Sequence, residues 1–159
     1  MSDFHASVEA ALREHDIMLP EPPAPVAAYV PAVRTGHQIV VSGQLPFTAG
    51  QLLAEGKVDS VVDEDHAATA ARQCAINGLA VLFGEIGRDW NRLVRVVRIG
   101  CFVNADADFT GHSIVANGAS DLLVALLGER GKHARAAVGC SSLPLGAAVE
   151  VEFVFEVTD

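Results

Sequence analysis

The segment VEVEFVFEV, residues 149–157, constrains this chain more than any other stretch. Val149, Val151, Phe153, Phe155 and Val157 share one side of an extended strand, and Glu150, Glu152, Val154 and Glu156 share the other. A period of two over this length demands a strand with one apolar face, and that face needs a layer of helices over it. The layer is visible upstream. Asp63 or Asp65 can cap a long helix reaching about Ile86, with Ala67, Ala71, Cys74, Ala75, Gly78, Leu79, Leu82 and Ile86 recurring at helical spacing. Its many small residues predict close packing on a sheet. A second helix spans about Gly111–Leu127 and stops at Gly128.

The other elements complete an α+β pattern. Ser2 or Asp3 can cap a first helix over Phe4–His15, with Phe4, Val8, Ala11 and Leu12 as its apolar stripe. A proline-rich connector, 17–28, follows this N-terminal helix (1–16). Residues 29–42 predict a hairpin turning at Thr35-Gly36-His37, and Gly43 marks a bulge or a close backbone approach to a ligand. Residues 45–62 read as a loop with at most a short strand. LVRVVRIGCFV, 93–103, is a strand whose alternation changes phase near Val96-Val97, and 135–142 is another. The 159 residues form a single domain, 1–159, able to bury a sizeable core.

Composition narrows the function classes. The net charge of −9 disfavours nucleic acid as the main partner, and the Arg88, Arg92, Arg95, Arg98 group lacks interleaved aromatics. Half of the residues are hydrophobic and mean hydropathy is +0.31, high enough to suggest apolar surface buried against partner subunits. Cys74, Cys101 and Cys140 lie apart in apolar runs, as buried thiols of a reducing cytoplasm do. The histidines show no HxxxH or HExxH spacing, which gives a metal site little support. No apolar run approaches membrane-spanning length, and the N-terminus does not resemble a signal peptide.

Arg135 is the chemically conspicuous residue. An antiparallel pairing of 135–142 with 147–157 around Leu143-Pro144-Leu145-Gly146 would oppose Arg135 to Val154 and Gly139 to Glu150. Arg135, Ala137 and Gly139 would then share the carboxylate-bearing face, with Arg135 and Glu150 roughly 13 Å apart along the ladder. A small anion and a water fit such a gap. Arg135 offers a permanent charge and a bidentate fork for a carboxylate, and Glu150 can orient or deprotonate a water. An ordinary strand-face ion pair of Arg135 with Glu152 or Glu156 is the competing reading.

VVSGQLP (40–46), HARAAVGCSSLPLGAAVEVE (133–152) and the order of elements between them resemble the RidA/YjgF family, the reactive intermediate/imine deaminases. The resemblance runs from about Tyr29 to Val157. It implies a chorismate-mutase-like sheet with two helices on one face, and a homotrimeric barrel with clefts between subunits. It also implies cofactor-free hydrolysis of enamines and imines, of the 2-aminoacrylate and 2-iminopropanoate type, to a 2-keto acid and ammonia.

Residue by residue, the resemblance makes Arg135 the carboxylate-binding arginine and Glu150 the acid that holds the attacking water. Ala137 falls where a backbone carbonyl contributes to that water. Tyr29 borders the cleft, Ser42 and Gly43 form the turn that approaches the ligand, and Asn117 lines the cleft. The extra N-terminal helix, the longer TGHSIVANGAS segment and the GERGKHAR lead-in to Arg135 mark a less typical branch. A non-catalytic module that binds or senses small carboxylates in the same cleft is the alternative, and an RNA-directed role is a third that the acidic charge disfavours.

Overall fold

The computed structural model describes residues 3–22 and 28–159. Residues 23–27 of the predicted connector therefore lie outside the described residues. Asp3 accepts a hydrogen bond from the backbone N–H of His5 and starts α1 (Phe4–Glu14). Strands β1 (Ala32–Thr35) and β2 (Gln38–Gln44) form the predicted hairpin around Gly36, whose φ of 57° suits glycine. A two-rung ribbon, β3 (Phe47–Thr48) and β4 (Gln51–Leu52), occupies what the sequence suggested was loop. Asp63 then caps α2 (Glu64–Glu85), accepting from the His66 N–H at 2.8 Å. Next come β5 (Leu93–Asn104), α3 (His112–Leu127), β6 (Ala134–Cys140) and β7 (Val149–Val157).

The five long strands form one sheet in the order β1-β2-β7-β5-β6. β7 sits between two antiparallel neighbours, and its burial alternates without a break. The predicted hairpin between β6 and β7 does not form. β6 pairs parallel with β5, Arg135 lying beside Ile99, and β5 separates it from β7. The reason is the connection. A strand–helix–strand path lays its two strands parallel, so β5-α3-β6 is a crossover unit. Residues 141–148 are also longer than a tight hairpin needs and carry β7 past β5 instead. The register of β5 against β7 slips twice, between Leu93 and Arg95 and between Val96 and Arg98, where the sequence changes phase.

The core lies between the helices and one sheet face. Gly78 of α2 rests against Phe153, and a Cβ there would collide with the ring. This close approach explains the small residues of α2. Phe153 stacks on Phe155 at 5.7 Å. Trp90 is fully buried, stacks on Phe83 at 4.6 Å and donates from Nε1 to Glu9 at 3.0 Å, which pins α1 to the body. Cys74 and Cys101 are buried, and burial pushes the Cys101 thiol up to about 12. No helix among the described residues is long and apolar enough to cross a membrane.

Candidate active site

Glu150 stands on the open face of the sheet, beside Phe102, at the strand end where β2 bulges. The bulge spans Val41 to Gln44, as Gly43 suggested, and a Cβ on Gly43 would collide with Oε1 of Glu150. Glycine is therefore required for the carboxylate to lie where it does. Ser42 donates from Oγ to the Val30 carbonyl at 2.7 Å, and its N–H donates to the Pro31 carbonyl at 2.9 Å. These bonds tie the segment carrying Tyr29 to the bulge. Tyr29 is itself largely exposed at the rim. Glu150, Ser42, Gly43 and Tyr29 border one cleft of about 780 Å³. Half burial raises the Glu150 carboxyl above the ordinary glutamate range, and the Glu152 carboxylate pushes it further the same way.

Arg135 lies elsewhere. Its partner in the ladder, Ile99, belongs to the core face, so the Arg135 side chain projects toward α3. There Nη1 donates to Asn117 Oδ1 at 2.8 Å and to Ser120 Oγ at 3.1 Å. Both hydrogens of that nitrogen are used. Nε and Nη2 have no protein partner among the described residues, which leaves one bidentate edge of the fork open. Ser120 Oγ also lies 2.9 Å from Nε2 of His133, whose Nδ1 is 2.6 Å from the Gly131 carbonyl. A carbonyl only accepts, so Nδ1 carries the proton and, in the neutral ring, Nε2 accepts from Ser120. A shallow pocket of about 260 Å³ is lined by Ser120, Val124, Lys132, His133 and Arg135.

The expected shared face is thus corrected. Arg135, Ala137 and Gly139 sit on the helix side and Glu150 and Glu152 on the open side, because β6 takes its register from β5. Ala137, half-buried, packs on the core beside Cys101. The ion pair considered for Arg135 is absent too: Glu152 bonds Arg98 at 3.0 Å. Within one chain the residues fall into two groups, Arg135 with Asn117, and Glu150 with Ser42, Gly43 and Tyr29. Sequence reasoning missed Ser120. The i, i+3 spacing of Asn117 and Ser120 on a helix was the signal available for Ser120.

A five-stranded sheet with two helices on one face, a bulge-framed carboxylate and an arginine held by a helix define an α+β domain of the chorismate-mutase-like class. Residues 9–157 match the family model described as "YjgF/chorismate_mutase-like, putative endoribonuclease". The chain belongs to this YjgF/RidA family. It is 41% identical over 153 residues to Protein TCP17 of Trypanosoma cruzi, covering 96% of this chain and 95% of that protein. The crystal structure of Atu1372 from Agrobacterium tumefaciens superposes with a TM-score of 0.92 at 38% identity, covering 98% of this chain and 95% of that one. RidA from the Antarctic bacterium Psychrobacter sp. PAMC 21119 superposes with a TM-score of 0.57 at 27% identity, covering 86% and 94%.

Proposed function

We propose that this chain hydrolyses reactive 2-imino and 2-enamino acids to 2-oxo acids and ammonia, as a homotrimer in the cytoplasm, without a cofactor. The observation that carries the reading is the division of the chemistry into two incomplete halves. One half is an arginine with an open bidentate edge; the other is a cleft holding a carboxyl with a raised pKa. Each lacks what the other supplies. A site assembled from Arg135 of one copy and Glu150 of the next would hold a small carboxylate-bearing substrate between two subunits.

The open sheet face supports assembly. Val33, Val40, Val154, Phe102 and Val138 lie on it, and Val33, Val40 and Val138 are exposed in the single chain. A second copy is the covering that such a face lacks.

In the proposed reaction, Arg135 binds the substrate carboxylate through Nε and Nη2, with Asn117 fixing the guanidinium. Glu150 takes a proton from a water as its oxygen bonds to the imine carbon. When the imine enters protonated, Glu150 returns the water's proton to the nitrogen of the resulting carbinolamine. As the C–N bond breaks, the hydroxyl proton passes back to Glu150, ammonia leaves and the 2-oxo acid remains. A raised carboxyl pKa brings Glu150 nearer to working pH, which favours a base that must also return its proton. Ser42, Gly43 and Tyr29 frame the cleft, and the carbonyl of Ala137 belongs with the arginine half.

RNA cleavage is the weaker reading. The Arg88–Arg98 group is engaged by the protein: Arg88 with Glu21, Arg92 with the Ile86 carbonyl, Arg95 with the Lys132 carbonyl and Arg98 with Glu152. Two of the four charges are thus paired with carboxylates, which weakens the group as a phosphate-binding stripe.

The test is to generate 2-iminopropanoate in situ with an amino-acid oxidase acting on alanine. Loss of the imine should be accelerated by the parent chain and not by Arg135→Ala or Glu150→Gln. No acceleration by a well-folded parent would overturn the reading. Retained carboxylate binding would then favour a non-catalytic binding module.

A further inference from the structure

We propose that the Glu150 cleft is built for a 2-imino acid with an extended side chain ending in a second anionic group, and that Arg72 binds that end. The inference rests on the deaminase reading and names its substrate class.

Volume is the first argument. The imine of pyruvate needs about the room of three or four waters, roughly 100 Å³. In the single chain the cleft offers about 780 Å³, several times more, of which the neighbouring copy that brings Arg135 takes a share. The excess space is walled on one side by α2 and on the other by the segment after α1, Asp16 to Pro22. Ile17 is nearly buried, Pro22 packs near Gly84, and Glu21 pairs with Arg88 at 3.3 Å, so this second wall is anchored to the body.

Lining chemistry is the second. Phe47, Ile76, Ala80 and Met18 give the cleft an apolar path, and Met18 is 91% exposed, an apolar side chain that nothing in the single chain covers. The polar groups along the α2 wall are mostly satisfied. Asn77 donates to the carbonyls of Leu45 and Phe47 and accepts from Gln73. Arg72 differs: half-buried and lining the cleft, it has no hydrogen bond or ion pair among the described residues. Among the described residues lining the cleft, Glu21 pairs with Arg88, Asp16 is an acidic residue at the far wall, and no lysine is present. Among the described residues, Arg72 is therefore the one cation lining the cleft that has no hydrogen-bond or ion-pair partner. A carboxylate matches a free guanidinium bidentately. An apolar stem with a carboxylate at each end fits path and terminus together.

The experiment titrates the full-length protein calorimetrically with stable product-side 2-oxo acids: pyruvate, 2-oxohexanoate and 2-oxoadipate. The expected result is affinity rising from pyruvate to 2-oxohexanoate and again, by about tenfold, to 2-oxoadipate. Arg72→Gln should bring the 2-oxoadipate to 2-oxohexanoate ratio close to one, and Arg72→Lys should restore part of it. Equal affinity for all three, lost together in Arg135→Ala, would overturn this inference while leaving the deaminase reading in place. A dicarboxylate preference untouched by Arg72→Gln would also overturn it. Absence of binding by any 2-oxo acid would remove both.

Discussion

Arg135 and Glu150 stand on opposite faces of one sheet, with β5 between their strands. No side-chain rotation can bring the two together within a chain. If they act on one substrate, they do so from different copies. Arg135→Ala and Glu150→Gln chains, each inactive alone, should then regain activity when refolded together. In a cyclic assembly with random mixing, about one cleft in four receives both intact residues, so about a quarter of parental turnover is expected. Lack of recovery in mixed oligomers of verified composition would sink the shared site.

Gly43 tests the carboxylate's position without touching its chemistry. In Gly43→Ala the new Cβ meets the far end of the Glu150 side chain, which can swing away more cheaply than the backbone can move. Melting temperature should therefore change little, while kcat falls at least about tenfold as the base leaves its place. A large loss of stability with normal kcat per folded protein would show that the bulge, not the carboxylate, depends on this glycine.

Most of the fold was legible because each element carries a local signal. The period-two strand at 149–157, the capped helix at 63–86 with its small residues, the bulge at Gly43 and the phase change near Val96 all follow from short-range chemistry. The partner of β6 was not local. Its sequence suits a neighbour on either side, and the loop through Pro144 invites a hairpin, whereas the strand–helix–strand path β5-α3-β6 decides the pairing. A hairpin would put Arg135 on Glu150's face; the crossover puts it on the opposite one. Asn117 and Glu150 needed no long-range pairing to be singled out. Ser120 did, since its importance lies in what it touches.

Ser120 is a positioning residue. Its hydroxyl accepts from Arg135 and reaches His133, so Ser120→Ala removes one of the two anchors of the guanidinium. At an exposed site, loss of one hydrogen bond to a charged group should raise KM about three- to tenfold. The change should be larger for a substrate carboxylate than for a neutral ester analogue, and Ser120→Thr should recover most of it. Equal effects on acid and ester would mean that the hydroxyl serves only packing.

Glu150 gives the chain a defined pH response. Its folded-state pKa is raised by desolvation first and by Glu152 second. The native state therefore favours the neutral carboxyl. That contribution is fully present below the unfolded value of about 4.3 and is lost as pH rises through the folded value. Glu150→Gln cannot ionise, so it should match the parent's melting temperature at acid pH and exceed it at pH 7 and above. Activity runs the other way. The base must be ionised, so kcat/KM should fall as pH drops through a midpoint above the ordinary glutamate range. Glu152→Gln removes the second cause and should shift that midpoint downward without abolishing turnover. A midpoint unmoved by Glu152→Gln would assign the pH profile to another group.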